Sequence, residues 1–395
     1  MGRTVTLVLV DDAGVPLGAL PPFKVQTPWW QEVGDVVAGA RLRYGVDVDV
    51  LRLVDAEQAA PPGGPVTYAA QLRSGRPDRL LPVPMPMGVH PARAAYAHPN
   101  GPRASVDWAA GQLAGLGRPD VTAVQLRTWN LSAIWRLDAR GRPVAWLKQV
   151  PPFYEHEAAV LRAVADAQPG IVPRVLASGE HGRILLADVE GTDRYGADAG
   201  ECAAIAADWH PVQVALADRV DKLLAHGVPD RRDPVARIRQ VAATRRIDVP
   251  GLAELVDGLD RRLGKVAECG LPDTLVHGDL HPGNVRSGGQ RRVLLDWGDA
   301  GVTNPAYDVI RLTEGLAPAG AEEVVHGWAL RWRADAPGSV PERAVDLLRP
   351  VAQLRAAVTY ADFLGAIEPS ERPYHAGDVL RCLQAAVTAA RAVRP

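Results

Sequence analysis

The chain has 395 residues, of which 47% are hydrophobic and 23% are charged, as in an ordinary soluble globular protein. This length favours two or three domains over one compact core. Lys and Arg total 44 against 46 Asp and Glu, so the formal net charge of -2 offers no field that would attract nucleic acid or an anionic membrane. Neither partner is therefore expected.

The cysteines and the N-terminal segment indicate the cellular compartment. Cys202, Cys269 and Cys382 lie far apart and lack the C-x-x-C spacing of a zinc or redox site. We expect them to be small buried residues in a reducing compartment. The apolar run at 5–10 lacks the length and cleavage site of a secretory signal, and no window reaches the ~20 apolar residues of a membrane span. A cytoplasmic protein is expected.

The first eighty residues have the pattern of a small α+β domain. Its predicted elements, in chain order, are strands over 4–10 and 16–20, a helix over 31–44 that ends at Gly45, and a strand over 46–54. Residues 81–104 are rich in Pro and Gly and show no sustained period. We therefore expect a domain over 1–80 and a linker over 81–104.

The rest of the chain changes from a strand-rich block to a mostly helical one. Predicted elements are a helix over 104–116, strands over 121–137 and 143–148, a helix over 155–167 and a strand over 183–189. Beyond Gly191, apolar residues recur at three- and four-residue intervals, which is typical of helices that pack in a core. One strand-turn-strand stretch at 285–295 interrupts the helices.

That interruption carries the strongest chemical signal in the chain. It reads Val276-His-Gly-Asp-Leu-His-Pro-Gly-Asn-Val285, then a Ser-Gly-Gly turn, then Arg292-Val-Leu-Leu-Asp-Trp-Gly298. Asp279 and Asn284 lie five positions apart on one loop, and Asp296 follows a strand that the turn can fold back beside them. Each residue alone is common in turns. Together they predict two carboxylates and one amide oxygen at a single site.

Phosphoryl transfer requires this set of groups. Its loose transition state gains little from covalent help and much from positioning and charge neutralisation. One carboxylate holds the acceptor hydroxyl and takes its proton, while an amide oxygen and a second carboxylate hold Mg²⁺ against the phosphates. We therefore predict a kinase that uses a nucleoside triphosphate, ATP, with Mg²⁺.

The two motifs resemble the catalytic and metal-binding loops of the aminoglycoside phosphotransferase and choline kinase superfamily. The resemblance extends from about Val121 to the C-terminus, and Gly278, where protein kinases have Arg, indicates the small-molecule branch. It implies a bilobal protein-kinase-like fold, with a small antiparallel N-lobe over 105–190 and a mostly helical C-lobe over 191–395. The fold class is therefore predicted to be α/β (α+β).

The resemblance also implies roles for individual residues. Asp279 would be the catalytic base, and Asn284 and Asp296 would be the metal ligands. His277 would brace the loop. Asp308, in Asn304-Pro-Ala-Tyr-Asp308, would steady the loop without taking part in the chemistry.

Four further expectations concern the nucleotide. Lys148, at the end of a predicted strand, is expected to bind the α- and β-phosphates, held by a glutamate for which Glu157 is preferred over Glu155. No G-x-G-x-x-G loop precedes it, and Trp129-Asn-Leu-Ser-Ala-Ile134 stands in its place. Asn130 and Ser132 would donate to phosphate oxygens there, with ordinary turn residues as the alternative. The main chain at Ala187 and Val189 resembles the hinge that pairs with adenine.

The N-terminal domain loosely resembles a Nudix hydrolase. Nudix enzymes bind metal through glutamates just before the Gly that ends their helix, and here those two positions are Leu42 and Arg43. Without carboxylates there, no divalent cation can be held at that place. We therefore expect a degenerate domain and not a nucleotide hydrolase.

The sequence thus predicts an ATP- and Mg²⁺-dependent small-molecule kinase that phosphorylates a hydroxyl group of an aminoglycoside, an amino sugar, a choline-like compound or a related metabolite. The alternative is a non-catalytic nucleotide-binding regulatory module of the same fold. The sequence leaves the acceptor open. Five acidic residues of the helical block are candidates for an acceptor patch or for an ordinary solvated face: Glu314, Glu322, Glu323, Asp362 and Asp378.

Overall fold

The computed structural model describes residues 2–57, 63–82, 88–245, 248–289 and 291–392. Its strands are β1 (Arg3–Val10), β2 (Pro16–Ala19), β3 (Phe23–Val25), β4 (Asp47–Ala56), β5 (Gly64–Ser74), β6 (Thr122–Trp129), β7 (Ser132–Ala139), β8 (Arg142–Gln149), β9 (Val175–Gly179), β10 (Arg183–Ala187), β11 (Thr192–Asp193), β12 (Thr274–Val276), β13 (Val285–Gly288), β14 (Arg291–Leu294) and β15 (Gly301–Thr303). Its helices are α1 (Gly34–Tyr44), α2 (Gly101–Gly115), α3 (Glu157–Ala167), α4 (Ala199–Ala217), α5 (Val220–Ala225), α6 (Val235–Ala243), α7 (Leu252–Asp257), α8 (Leu259–Ala267), α9 (Ala306–Thr313), α10 (Pro318–Asp335), α11 (Pro341–Ala366), α12 (Arg372–His375) and α13 (Asp378–Ala392).

This mixture of antiparallel sheets and helices confirms the predicted α+β class. The chain forms two compact units. The first comprises Met1–Glu155, Val175–Asp188 and Leu364–Ala376, and the second comprises His156–Arg174, Val189–Phe363 and Gly377–Pro395. The boundaries expected at residues 80, 104 and 190 stay predictions, and residues 83–87 of the expected linker lie outside the described residues.

The N-terminal sheet of the first unit has the strand order β2-β1-β5-β4, with β3 paired to β1. Strands β1 and β5 run parallel, while the other pairs are antiparallel. Helix α1 buries Val36 and Ala40 in the core of this sheet and ends at Gly45, which adopts a φ of 64°. The predicted strands over 4–10, 16–20 and 46–54 are confirmed, and the helix expected from residue 31 begins at Gly34.

The second sheet of the first unit is antiparallel, with the order β6-β7-β8-β10-β9. Trp135, Leu147 and Leu185 from its strands pack in one core with Ala109 and Leu113 of α2. The continuous strand expected over 121–137 is wrong. A turn at residues 130–131 divides it into β6 and β7, because Trp129 pairs directly with Ser132 across a two-residue hairpin.

Strand β6 is hydrogen-bonded to the N-terminal elements of the same unit. The amide of Val33 donates to the carbonyl of Leu126 at 2.9 Å. The buried Gln125 side chain accepts from the Val50 amide at 2.9 Å and donates to the Val50 carbonyl at 2.7 Å. Because buried backbone groups require such partners, these contacts fix the N-terminal sheet against β6.

The second unit is mostly helical, and its described residues form two small sheets, β11-β13-β14 and β12-β15. Trp209 of α4 and Trp332 of α10 are buried in it, as is Trp297 in the loop after β14. The three cysteines are buried and free, as expected. Among the described residues, no helix has both the length and the apolarity needed to cross a membrane.

Candidate functional site

The loop from His277 to Asn284 follows β12, and the side chain of His277 anchors the start of the loop. The His277 side chain is fully buried, and its Nε2 lies 2.9 Å from the carbonyl oxygen of Leu295. Its ring also packs against Trp297, with centroids 4.4 Å apart. His277 therefore ties the loop to the segment after β14, which is the bracing that the resemblance implied.

A buried carboxylate, Asp308 on α9, holds the start of this loop. Its Oδ2 accepts from the His277 amide at 2.9 Å and from Trp209 Nε1 at 2.8 Å, and its Oδ1 accepts from the Gly278 amide at 3.0 Å. Gln213 Nε2 donates to Oδ2 at 3.1 Å. Burial raises the pKa of Asp308, and the hydrogen bonds from the loop amides and Trp209 oppose that rise. Asp308 therefore steadies the loop, as expected.

Position 278 accepts only glycine. Gly278 adopts a φ of 84°, and a Cβ built there would lie 2.0 Å from the carbonyl oxygen of Asp299. A side chain would therefore force the backbone apart as well as strain it. The close approach brings Asp299 beside the loop.

The predicted base, Asp279, is partly exposed and its carboxylate is held on both oxygens. Arg311 Nε donates to Oδ1 at 2.7 Å, and Asn284 Nδ2 donates to Oδ2 at 3.2 Å. Asn284 Nδ2 also donates to the Asp279 carbonyl at 3.0 Å. The carboxylate is thus fixed in direction before any substrate binds.

Arg311 is a site residue that the sequence analysis missed. It lies on α9, and its Nη1 donates to Glu314 Oε2 at 2.5 Å while its Nε contacts Asp279. Gln353 on α11 in turn donates to the other oxygen of Glu314 at 2.8 Å. The arginine therefore connects the base to a fixed network on two helices. No local pattern pointed to it, because its contact with Asp279 depends on where helix α9 packs.

The hairpin β13-β14 brings Asn284 and Asp296 to the same place. Val285 pairs with Leu294, so the residues just outside the hairpin face each other. The Leu295 amide donates to the Asn284 carbonyl at 2.8 Å, which extends the pairing by one step. Asp296 follows directly and is exposed, with a φ of 62° that is uncommon for a residue other than glycine.

Trp297 anchors the turn that presents Asp296. It is fully buried, and its Nε1 donates to the Leu294 carbonyl at 3.1 Å. Its amide donates to Glu157 Oε1 at 3.2 Å. Glu157 begins α3 and is buried, whereas Glu155 is exposed. The preferred glutamate is therefore the one that contacts the segment carrying Asp296.

The predicted adenine and phosphate residues lie in both units. Lys148 lies on β8, where it pairs with Ile134 and Ile184, and Ala187 ends β10. Both belong to the first unit, while Val189 belongs to the second and its carbonyl accepts from Arg286 Nε at 2.8 Å. The ion pair of Lys148 with Glu157 and the hinge at 187–189 stay predictions.

Asn130 and Ser132 are buried in the first unit. The Asn130 amide donates to Glu371 Oε2 at 3.0 Å, and its side-chain oxygen accepts from the Glu368 amide at 3.2 Å. Ser132 Oγ accepts from Trp129 Nε1 at 3.0 Å. Both residues thus shape the turn itself, and their contact with phosphate stays a prediction.

The carboxyl group of Glu371, which accepts the hydrogen bond from the Asn130 amide, is buried and only partly hydrogen-bonded. Glu371 is 1% exposed, and within the described residues its Oε1 has no hydrogen-bond partner. Burial raises its pKa to about 7, and the hydrogen bonds from Asn130 oppose the rise. Below about pH 7 the folded chain therefore favours the neutral form of Glu371.

We expect Glu371→Gln to stabilise the protein at high pH. Because the pKa of Glu371 is raised from 4.5 to about 7 on folding, the wild type has its full stability below the lower value and loses stability as pH rises through the upper one. The amide stays neutral, so its free energy of unfolding should exceed that of the wild type by ~2–3 kcal/mol at pH 8 and match it at pH 4. Urea unfolding at both pH values measures this. Exposed Glu322→Gln is the control, and an equal gain at both pH values would contradict the prediction.

Two further groups near the loop have shifted pKa values. Burial lowers the pKa of His281, while Asp279 opposes this, and His281 Nδ1 accepts from the Gly283 amide at 3.0 Å. Burial raises the pKa of Asp299 to about 6, Arg231 opposes that rise, and Asp279 and Asp296 add to it. The site therefore concentrates negative charge where a cation would be favourable.

Comparison with known proteins agrees with this geometry. The sequence profile of the phosphotransferase enzyme family matches residues 133–342, which is more than half of the chain. No curated protein matches this chain. Choline kinase from Streptococcus pneumoniae is similar in structure, with a TM-score of 0.53, 14% identity and coverage of 72% of this chain and 99% of that one.

Two more solved structures are similar. Macrolide 2′-phosphotransferase from Brachybacterium faecium has a TM-score of 0.50 and 21% identity, covering 70% of this chain and 98% of that one. The GDP complex of aminoglycoside 2′-phosphotransferase-IIIa has a TM-score of 0.51 and 14% identity, covering 72% and 98%. These likenesses confirm the protein-kinase-like fold. None of these similar proteins supports the Nudix resemblance of the N-terminal domain, which stays a prediction. The family match, which spans the whole loop-and-hairpin site, shows that the chain belongs to the phosphotransferase enzyme family.

Proposed function

We propose that the chain transfers the γ-phosphoryl group of ATP to a hydroxyl group of a small molecule, with Asp279 as the catalytic base. One observation carries the proposal: the Asp279 carboxylate is oriented by Arg311 and Asn284 on a loop that Asp308 holds in place. Similar solved structures include a macrolide phosphotransferase, an aminoglycoside phosphotransferase bound to GDP, and a choline kinase. They favour a hydroxylated small-molecule acceptor.

The donor set at the hairpin fits Mg²⁺. Asn284 offers an amide oxygen and Asp296 an exposed carboxylate, and both are oxygen ligands that Mg²⁺ prefers. Among the described residues, no group of three or more His, Cys, Asp or Glu side chains could hold a metal ion. Mg²⁺ is usually held by one or two side chains together with substrate phosphates. When bound there, the cation would neutralise charge on the transferring phosphoryl group.

Side chains of the protein supply the other groups that the reaction needs: a base for the hydroxyl proton and a cation for the phosphates. Asp279 orients the acceptor hydroxyl and accepts its proton. This is the positioning that phosphoryl transfer needs. Arg311 prevents the carboxylate from rotating. Lys148, on the strand between β7 and β10, would supply a cation for the α- and β-phosphates.

Nucleotide consumption with a panel of acceptors tests the proposal. Purified protein is incubated with Mg²⁺ and either ATP or GTP, and nucleoside diphosphate release is followed with aminoglycosides, macrolides, choline, ethanolamine, amino sugars and hydroxy-amino acids. We expect release that depends on one class of acceptor and on Mg²⁺. Tight nucleotide binding with no turnover on any hydroxylated acceptor would instead support the regulatory-module alternative.

Arg311 provides a sharper test of the mechanism. We expect Arg311→Met to reduce kcat ~10–100-fold, because the carboxylate of Asp279 loses the donor that fixes its direction. The KM for nucleotide should change little, since Arg311 contacts the base and Glu314. Steady-state kinetics measures both constants.

Glu314→Gln is the matched control, because it weakens the outer ion pair and leaves the contact between Arg311 Nε and Asp279 in place. Its kcat should remain within about threefold of the wild type, as for an exposed ion pair. Equal losses of kcat in the two variants would show that turnover depends on the helix network and not on the contact between Arg311 and Asp279.

The N-terminal domain lacks carboxylates at the two described positions that correspond to the Nudix metal ligands. At the two positions where a Nudix enzyme binds metal, Leu42 is 85% exposed and the Arg43 guanidinium lies 5.9 Å from the centre of the Phe23 ring. Neither side chain is a metal ligand. Hydrolysis of a nucleoside diphosphate derivative that survives Asp279→Ala would reverse this conclusion.

A further inference from the structure

A pocket of about 340 Å³ lies in the second unit, between α7, α8 and α13. Its volume is that of a small-ligand site. The buried side chains of Leu255 and Val387 give it an apolar floor, and it shares no residue with the loop and hairpin around Asp279.

The most informative group in this pocket is Arg262. Its side chain lines the pocket and the residue is only 7% exposed. Its Nη1 donates a long hydrogen bond to the Leu347 carbonyl at 3.4 Å, and no carboxylate of the described chain pairs with it. Burial lowers its pKa, and among the described residues no neighbouring charge opposes this. A buried, unpaired cation is costly, so the site is suited to receive an anion.

Two more guanidinium groups lie at the same pocket. Arg261 and Arg391 line it and are exposed, and neither forms an ion pair within the described part of the chain. Arg391 Nη2 is held near the pocket by the Pro250 carbonyl at 3.5 Å. Of the described residues in the lining, Glu254 is the single carboxylate, so three positive groups face one negative group there.

A glycine keeps the pocket open. Gly251 adopts a φ of 92°, and a Cβ there would lie 3.2 Å from Val387 Cγ1 and 3.7 Å from Arg391 Nη2. Any side chain at this position would occupy the space between the apolar floor and that arginine. The lining therefore combines free volume, an apolar surface and several planar donors.

We propose that this pocket is a second ligand site, which binds a small metabolite through a phosphate monoester group. Guanidinium groups match the oxygens of a phosphate in bidentate geometry, and a doubly charged anion offsets the excess positive charge. The organic part of the ligand lies on Leu255 and Val387. Because the pocket shares no residue with the catalytic loop, the failure of this proposal would leave the proposed phosphotransfer reaction standing.

Thermal unfolding and calorimetric titration test the proposal, with glycerol 3-phosphate, inorganic phosphate and succinate as probes at constant ionic strength. The Lys148→Met background is used so that the predicted nucleotide site does not contribute. We expect glycerol 3-phosphate to raise Tm in a concentration-dependent manner. Equal binding of inorganic phosphate would identify free phosphate as the source of the anion. Binding by succinate alone, or no binding by any probe, would overturn the proposal.

Variants assign the binding to this pocket. The double variant Arg261→Gln/Arg391→Gln changes only exposed side chains. It should raise the Kd for glycerol 3-phosphate at least ~10-fold. Arg262→Met should abolish the ligand response and also raise the Tm of the free protein, because an apolar side chain replaces an unpaired buried charge. A merely structural Arg262 would lower that Tm instead. The exposed Arg219→Met is the control, and an unchanged ligand response in the pocket variants would refute the assignment.

Discussion

Replacing Asp279 by Asn is expected to reduce kcat by ~10²–10⁴, the range typical of general-base catalysis. The amide keeps the size of the side chain and can still accept the hydrogen bond from Arg311, but it cannot take the proton of an acceptor hydroxyl. The loop itself should remain in place, because its anchors are the amides of His277 and Gly278 on Asp308. The loss should therefore appear in turnover and not in folding.

Three measurements make this result decisive. Diphosphate release with the active acceptor gives kcat, titration with a non-hydrolysable ATP analogue gives nucleotide affinity, and thermal unfolding gives stability. Affinity and Tm should stay near the wild-type values, as in the exposed control Asp218→Asn. Turnover that survives at more than about a tenth of the wild-type rate would remove Asp279 from the role of base.

The three polar residues of the site could be placed from the sequence because their positions depend on local structure. Asp279 and Asn284 share one loop, and a hairpin turn is enough to bring the segment with Asp296 back to them. The pairing of Val285 with Leu294 is what short strands around a glycine turn would form.

Arg311 and Glu371 could not be found in the same way, because their contacts depend on the placement of whole elements. Arg311 reaches a base 32 positions earlier in the chain. Glu371 holds the amide of Asn130 across 241 positions. Periodicity and turn chemistry predict where an element lies along the chain, but not which element it packs against.

The fold shows the same division. The longer predicted strands and helices exist, because alternation and helical periodicity over eight or more residues are strong signals. The short strands β3, β9, β11, β12 and β15 were missed, and so was the longer strand β5. Strands β12 and β15 pair with each other over residues 274–276 and 301–303, which are too few to show a period. These two strands nevertheless lead directly into and out of the candidate site.

Asp308→Asn should both destabilise the protein and disable the site. The carboxylate accepts from four N–H donors, those of His277, Gly278, Trp209 and Gln213. An amide must direct its NH₂ group at one or more of these donors, so a buried donor loses its acceptor. We expect a loss of ~2–4 kcal/mol in the free energy of unfolding, measured by urea denaturation. Because the amides of His277 and Gly278 lead into Asp279, kcat should fall ~10²-fold in the folded fraction.

A second pair of measurements separates loop position from general instability. Asp260→Asn is the matched control, since Asp260 is 66% exposed in its pair with Arg239 and should change stability by less than ~1 kcal/mol. Trp209→Phe removes a single donor to Asp308 and leaves both loop amides bonded. It should reduce stability, because it leaves a cavity, while kcat falls much less than in Asp308→Asn. If the two variants lose kcat in proportion to their loss of stability, then Asp308 acts only through the core. If Asp308→Asn alone loses turnover, the carboxylate positions the catalytic loop.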